Sequence, residues 1–202
     1  MIFLIATTNP NKKIEFSRIL APLGITVKSA DELNLRLPEV EETGTTFEEN
    51  ALLKARSGCA VSGLPTLSDD SGLCVDALDG APGIYSARFS SEDGENGDDE
   101  ANNRKLLRLL GDTPLEKRTA HYACSIAAVF PDGRELTSYG ECRGWIGFEE
   151  RGSNGFGYDP LFLINDRQTF AEIPPAEKDA RSHRSAALHA MYDILKGELH
   201  DQ

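Results

Sequence analysis

Two adjacent carboxylates, Asp69 and Asp70, are the residues of this chain best suited to chemistry. They stand between two short apolar segments, 65–67 and 73–75. Successive side chains of an extended segment point to opposite faces, so one carboxylate can serve an active face while the other secures the loop. A carboxylate can bind Mg²⁺ through oxygen or accept a proton from water. Taken alone, the pattern is more simply that of a solvated, aspartate-rich turn, and the other motifs decide against that interpretation.

A second candidate lies at the N-terminus, where an apolar strand over residues 2–6 leads into a polar turn. Pro10 suits a first helical turn, and Thr8 or Asn9 can cap it. A helix that begins this way presents free backbone N–H groups to an anion, and Lys12 adds positive charge. An ordinary connection between a strand and a helix has the same pattern. The sequence contains neither of the common glycine-rich phosphate motifs.

The third candidate is an acidic loop followed by a helix. Thr45 and Glu48 form a capping-box pattern that predicts a helix running to about Val61. Glu41 and Glu42 precede the cap, where their carboxylates could reach a metal ion. Glutamates in the first turn of the helix itself are most simply solvated charges that complement the helix dipole.

The fourth candidate is the glycine-rich segment 152–160. Glycines allow the backbone to approach a flat ligand closely, and Phe156 could stack on a base. Packing of Phe156 and Tyr158 into a core is an equally good interpretation. A further polar group, 182–184, precedes a predicted amphipathic C-terminal helix over 186–199.

The remaining pattern indicates mixed α/β structure. It predicts a first helix over 13–23, a strand over 25–28, a helix over 99–110 that ends at Gly111, and a β-hairpin over 119–142. A short apolar strand is predicted over 161–164.

Composition limits the class of protein. The chain has 202 residues and a net charge of −12, which argues against nonspecific binding to nucleic acid or anionic membranes. The four cysteines show no C-x-x-C spacing and suit a reducing compartment. The apolar N-terminal run is too short for a signal peptide. These features predict a cytoplasmic protein.

Taken in order, the motifs resemble the inosine/xanthosine triphosphate pyrophosphatase family. The matching stretches are TTNPNK at 7–12, EETGTTFEENALLKA at 41–55, SDDSGLCV at 68–75, GAPGIYSAR at 80–88, GFGYDPLF at 155–162, and Lys178 with SHR at 182–184. The resemblance covers nearly the whole chain. Two positions depart from it: Thr8 stands where many members have glycine, and Tyr158 where some have tryptophan.

The resemblance implies one domain over 1–202, with a long twisted mixed β-sheet flanked by helices and two lobes around a central cleft. It implies a homodimer that hydrolyses ITP, dITP and XTP to the monophosphate and pyrophosphate, with Mg²⁺ as cofactor. Water would attack the α-phosphorus.

The resemblance also implies roles for individual residues. Asp70 is the base that activates water, and Glu42 and Asp70 bind the metal; Glu15 is a further candidate there. The implied substrate-binding residues are Thr7, Thr8, Asn9, Pro10, Asn11, Lys12, Ser71, Phe156, Gly157, Tyr158, Asp159, Lys178, His183 and Arg184.

Two other functions remain compatible with the sequence. One is a pyrophosphatase for pyrimidine or methylated nucleotides on the same fold. The other is a sensor that binds a triphosphate without turnover. The carboxylates at Glu42, Asp69 and Asp70 argue against the sensor, because binding alone needs no base.

Overall fold

The computed structural model describes residues 1–7, 9–91 and 97–200, and the side chains of all of these except Asn11, Leu199 and His200. The chain divides into two compact units. The first consists of Met1–Asp70, Cys124–Gly140 and Arg184–Gln202, and the second of Ser71–Ala123 and Glu141–His183. Thr8, one of the predicted binding residues, lies outside the described residues.

Six strands form one sheet within the described part of the chain. They are β1 (Ile2–Ile5), β2 (Thr26–Ser29), β3 (Thr66–Val75), β4 (Thr119–Val129), β5 (Glu135–Ile146) and β6 (Phe162–Leu163), in the spatial order β2-β1-β3-β4-β5-β6. β1 is parallel to β2 and β3, whereas β5 and β6 are antiparallel. The predicted α/β fold with a mixed sheet is confirmed.

Five α-helices are described: α1 (Pro10–Leu20), α2 (Phe47–Ser62), α3 (Asp99–Leu110), α4 (Pro175–Arg181) and α5 (His183–His200). α1 begins at Pro10, as the N-terminal pattern predicts, but it is followed by a separate turn of 3₁₀ helix over Ala21–Leu23. The predicted bounds of α3 are confirmed. None of the helices described is both long and apolar enough to cross a membrane.

The first unit has an apolar core built by β1 and two helices. Phe3 and Ile5 of β1 are buried with Phe16 of α1 and with Leu188 and Met191 of α5. α5 starts three residues earlier than predicted, so its inward stripe is preceded by a polar first turn. The core fixes α1 and α5, whose first turns carry Lys12 and Arg184.

α2 lies very close to the sheet because one of its residues is glycine. A Cβ added to Gly58 would stand 2.8 Å from Cγ2 of Thr66 on β3, closer than side chains approach. Ala51 and Ala55 are fully buried on the same helix. Small residues on this face therefore bring α2 close to the strand that carries the two aspartates.

The cap of α2 differs from the prediction by one residue. Thr46, not Thr45, is the N-cap, and its hydroxyl accepts from the Glu49 backbone N–H at 3.1 Å. The Glu49 carboxylate in turn accepts from the backbone N–H and the hydroxyl of Thr45. Adjacent threonines and adjacent glutamates give two overlapping capping-box patterns, and the extended backbone of Thr46 makes it the N-cap.

The second unit has its own core around the aromatic side chains of β4 and β6. Tyr122, Phe162 and Phe170 contact one another there, together with Leu106 and Leu110 of α3. β6 covers two residues rather than the predicted four. The segment before it is a series of turns that carries the glycine-rich motif.

β3 runs without a break through the two aspartates. The sequence suggests a strand, a turn and a second apolar run, but all ten residues from Thr66 to Val75 are extended. Asp69 and Asp70 are only 3% and 9% exposed. The solvated-turn interpretation is therefore wrong, and two carboxylates lie inside a sheet.

Candidate functional site

Asp70 belongs to a group of charged and polar side chains held by α2. The Lys54 ammonium lies 2.8 Å from Oδ1 of Asp70 and 2.8 Å from Oε1 of Glu42. The Asn50 amide donates to Oδ2 of Asp70 at 3.4 Å. Asn50 and Lys54 are four residues apart on α2 and so lie on one face of the helix. A single cation thus bridges two carboxylates.

Asp69 contacts a different pair of cations. Its Oδ2 lies 2.9 Å from the Lys12 ammonium and 3.2 Å from Nε of Arg184. Arg184 also pairs with Glu15 at 3.4 Å. Because β3 is extended, the adjacent aspartates point to opposite faces. One meets α1 and α5, and the other meets α2. The residues around both aspartates form the carboxylate cluster: Lys12, Glu15, Glu42, Asn50, Lys54, Asp69, Asp70 and Arg184.

The two environments shift the pKa values of the aspartates in opposite directions. Burial penalises the Asp69 anion, but Lys12 and Arg184 outweigh that penalty and hold the pKa of Asp69 well below its usual range. Burial also penalises the Asp70 anion, and Lys54 offsets this only in part, so the pKa of Asp70 is raised. A higher pKa makes a better proton acceptor. Neighbouring carboxylates whose pKa values are pushed apart commonly divide acid–base roles.

Lys54 is held in its charged form by the same contacts. Burial disfavours its ammonium, but the carboxylates of Asp70 and Glu42 outweigh this effect and raise the pKa of Lys54. One ammonium from within the chain therefore offsets part of the charge of the two carboxylates.

The donor set of this pair suits Mg²⁺. No group of three or more His, Cys, Asp or Glu side chains arranged to hold a metal ion occurs among the described residues. Mg²⁺ does not need one, since it usually takes one or two carboxylates and completes its shell with water and phosphate oxygens. Glu42 and Asp70 already converge on one cation, the Lys54 ammonium.

The predicted N-terminal anion site is described in part. Thr7 accepts through its hydroxyl from the Asn9 backbone N–H at 3.2 Å, and Pro10 opens α1. Asn11 lies in the first turn of α1. The Lys12 ammonium, 20% exposed, is paired with Asp69. Binding of an anion by this turn stays a prediction.

The second unit brings together four of the predicted binding residues, Phe156, Asp159, Lys178 and His183, around the Asp159 carboxylate and its partner Tyr122. Asp159 accepts from the backbone N–H of Phe156 at 2.9 Å and from the Lys178 ammonium. The Tyr122 hydroxyl donates to the same carboxylate at 3.3 Å. The His183 ring stacks on Tyr122, with centroids 4.9 Å apart and planes 12° apart.

Phe156 is the exposed ring of this group. It is 57% exposed, and the Lys178 ammonium lies 4.7 Å from its centroid. Tyr158, two residues on, is buried and donates through its hydroxyl to the carbonyl of Ser86 at 2.7 Å. Packing therefore explains Tyr158, as one interpretation of the sequence had it, but it does not explain Phe156. The aromatic cluster is defined as Tyr122, Phe156, Gly157, Tyr158, Asp159, Lys178 and His183.

Glycine is required at one position beside Asp159. Gly155 has a φ of +77°, and an added Cβ would overlap the Asp159 carboxylate. Both the left-handed backbone and the close approach exclude other residues.

Two predicted residues belong to a different unit from the neighbours with which the sequence groups them. Arg184 is predicted beside His183 at the base, but its guanidinium is bonded to Asp69 and Glu15 within the first unit. Ser71 directly follows Asp70 on β3, is half-buried and belongs to the second unit. The sequence motifs did not assign a site role to Asn50 or Tyr122, and they named Lys54 only as a local cation for a polyanionic substrate, without its place between Glu42 and Asp70. The four-residue spacing of Asn50 and Lys54 after the acidic loop was a usable signal, whereas nothing local distinguishes Tyr122.

The fold and these clusters define an α/β protein with a carboxylate-rich site on a buried strand. The chain belongs to the Ham1 family, whose model matches residues 3–194. A dITP/XTP pyrophosphatase of Exiguobacterium sibiricum is 52% identical over 196 residues, which cover 96% of this chain and 97% of that protein. The relationship inferred from the motifs is confirmed.

Solved structures agree in sequence and in fold. The Staphylococcus aureus Ham1 protein is 39% identical, with a TM-score of 0.87, and the match covers 98% of this chain and all of that one (100%). A structure from Mycobacterium abscessus, described as a nucleoside-triphosphatase and dITP/XTP pyrophosphatase, is 45% identical with a TM-score of 0.80. That match covers 96% of this chain and 100% of the other.

Proposed function

We propose that this Ham1-family chain hydrolyses the non-standard purine nucleoside triphosphates ITP, dITP and XTP to the monophosphate and pyrophosphate. It is an enzyme of the nucleoside triphosphate pyrophosphatase class, a hydrolase of phosphoric anhydrides, as its relatives are named. The observation that carries the proposal is the aspartate pair on β3, in which one carboxylate is held by two cations and the other has a raised pKa.

In this proposal Asp70 is the general base. Water attacks the α-phosphorus, Asp70 accepts a proton from it, and pyrophosphate leaves. The Oδ1 atom of Asp70 is bonded to Lys54, and Oδ2 to the Asn50 amide, so the carboxylate is oriented before substrate arrives. Asp69, tied to Lys12 and Arg184, is the counter-ion that orders those two cations rather than a second base.

Glu42 and Asp70 are the proposed ligands of Mg²⁺. When bound, the ion would neutralise phosphate charge and assist the departure of pyrophosphate. We assign the phosphates to Lys12 and to the turn from Thr7 to Asn11, while Ser71 and Lys178 help to place the substrate. In a chain of net charge −12, these local cations are needed to attract a polyanion.

The aromatic cluster is the proposed site for the base. Phe156 would stack on the purine, which is tolerant of base identity, while Gly157, Tyr158, Asp159 and His183 shape its surroundings. The sequence assigns Arg184 to the base as well, because its N–H donors suit a 6-keto oxygen. Its bonds to Asp69 and Glu15 favour a role as their counter-ion instead.

The deciding experiment is pyrophosphate release from ITP, XTP, dITP, ATP and GTP in the presence of Mg²⁺, with pyrimidine triphosphates in the same panel. Pyrophosphate release that is fastest with ITP, XTP and dITP supports the proposal. Preference for a pyrimidine would favour the related pyrophosphatase activity, and binding without release would favour the sensor. We further propose a cytoplasmic homodimer that does not bind nucleic acid or membranes.

Replacement of Glu42 tests the metal assignment. Glu42→Gln should raise the Mg²⁺ concentration that gives half-maximal activity by about tenfold or more, since losses of 10- to 100-fold are typical even for residues behind the ligands. A neutral amide is a weaker ligand for a hard cation. The matched control is Glu41→Gln, at the exposed neighbouring position. A Mg²⁺ titration that is the same for both variants would remove Glu42 from the metal site.

Replacement of Phe156 tests base stacking. Phe156→Ala should raise KM for ITP and ATP by a similar factor, about 10-fold or more, because a base–aromatic stack is worth roughly 1–3 kcal/mol. Phe148→Ala is the matched control, since Phe148 is equally exposed and also lies under a cation, with Arg118 4.1 Å from its centroid. Similar KM values for the two variants would show that Phe156 does not contact the base.

A further inference from the structure

α3 holds both backbone polar groups of Gly157. The Gly157 N–H donates to Oδ2 of Asp99 at 2.7 Å, and the Gly157 carbonyl accepts from the Asn103 amide at 3.2 Å. Asp99 and Asn103 are four residues apart, so they share one face of the helix. Two side chains from one rigid element therefore fix a single residue of the glycine-rich loop.

Gly157 immediately follows the exposed ring of Phe156. Its φ of +61° lies in the left-handed region, where the chain turns sharply between Phe156 and the buried Tyr158. Phe156 itself is exposed, and its backbone N–H is bonded to Asp159. Its position therefore depends on how the backbone on either side is held, and α3 holds the C-terminal side.

The buried side chain of Asn103 on α3 is unfavourable for the stability of the fold. Its side chain is 2% exposed, and its Oδ1 has no hydrogen-bond partner within the parts of the chain that the structure describes. A buried acceptor without a partner destabilises the fold, and such groups call for an explanation. The amide makes one bond, to the Gly157 carbonyl, and that bond explains the residue.

Asn102, its neighbour on α3, provides the contrast. It is equally buried, but both ends of its amide are used: Oδ1 accepts from the Ser90 backbone N–H at 2.7 Å, and Nδ2 donates to the Ala87 carbonyl at 3.4 Å. Asn102 joins α3 to the segment before it, whereas Asn103 joins α3 to the loop of the aromatic cluster.

We propose that Asp99 and Asn103 are positioning residues for base recognition, which hold the Gly157 backbone so that the Phe156 ring is presented to the purine. The proposal rests on the proposed function and deepens it. Neither residue touches the substrate; both act through Gly157. The expected signature is weaker binding with unchanged chemistry, because the carboxylate cluster is not altered.

The test uses two matched pairs of variants. Asn103→Leu should raise KM for ITP about five- to tenfold, within the range lost with a base–aromatic stack, while kcat stays within about twofold and thermal stability is kept. Asn102→Leu should instead lower thermal stability and leave KM unchanged. It removes the acceptor of the Ser90 N–H but does not touch the Gly157 backbone. Asp99→Ala should raise KM, whereas Glu100→Ala, which removes another first-turn carboxylate, should not.

A double-mutant cycle separates positioning from a general effect on the fold. In a Phe156→Ala background, Asn103→Leu should change KM by less than about twofold, because the ring that it positions is gone. An undiminished effect in that background would overturn the proposal. So would an unchanged KM for Asn103→Leu in the wild-type background, or a fall in kcat that follows a loss of stability.

Calorimetry of ITP binding in EDTA compares the affinities of the wild type and the variants without turnover. If the wild-type protein releases no pyrophosphate from ITP, the proposed function fails, and the dissociation constants of the Asn103 and Phe156 variants still decide the positioning role. Equal dissociation constants for wild type and Asn103→Leu would overturn it.

Discussion

Asp70→Asn is expected to lower kcat for ITP at saturating Mg²⁺ by at least about 100-fold, the usual contribution of a general base, while ITP still binds. The amide keeps the size of the side chain and its contact with Asn50 but cannot accept a proton from water. Steady-state pyrophosphate release gives kcat, and calorimetry in EDTA gives the dissociation constant.

Asp79→Asn is the matched control for this variant. Asp79 is exposed beyond the end of β3 and has a φ of +53°, a conformation that asparagine tolerates well. The kcat of the Asp79→Asn variant should equal that of the wild type. If Asp70→Asn kept more than about a tenth of the wild-type kcat, the contribution expected of a base would be absent, and Asp70 would have to be assigned to metal binding alone.

Arg184→Met should lower the free energy of unfolding by about 3–5 kcal/mol, the cost of removing one partner from a buried ion pair. Asp69 is almost fully buried and, among the residues that the structure describes, would be left with Lys12 as its one cation contact. Urea denaturation followed by circular dichroism measures the change.

An exposed arginine provides the control for this stability measurement. Arg56 makes two bonds to Glu135, at 2.6 and 2.7 Å, at the protein surface, so Arg56→Met should cost only about 0–1 kcal/mol. In an Asp69→Asn background, Arg184→Met should cost less than it does alone, because no buried anion remains. Equal costs in both backgrounds would mean that Arg184 stabilises the fold by packing and not through Asp69.

The elements with strong local signals were predicted well from the sequence. α3 begins after the capping side chain of Asp98 and ends at Gly111, and both signals are contained within a few residues. The hairpin of β4 and β5 is likewise set by a short turn, in which the Gly133 N–H donates to the Phe130 carbonyl. Such elements can be predicted without knowing which distant residues contact them.

The central strand could not be predicted in the same way. Asp and Gly are poor strand formers, so a solvated turn at Asp69 and Asp70 was the simpler interpretation. What makes the buried strand possible is charge neutralisation by residues far along the chain. Arg184 is 115 positions from Asp69, and no local pattern encodes that pairing.

The candidate site was predicted by type of residue rather than by arrangement. The motifs identified Asp70, Glu42 and Phe156, but not the ammonium of Lys54 between the first two or the Tyr122 ring beneath His183. The same limit applies to Arg184, whose neighbour His183 belongs to the other unit. Side-chain direction at the start of a helix changes by about 100° per residue, so adjacent residues can serve different groups.

The register between β1 and β3 decides which aspartate meets which cations. Leu4 and Ile5 pair with Thr66 and Leu67, two residues before the doublet. A slip of one residue moves every side chain of a strand to the other face. Deleting one residue between Leu67 and Asp69 would give Asp70 the place of its neighbour and leave a serine to act as the base. The length of this short stretch is therefore as much a part of the site as the two carboxylates themselves.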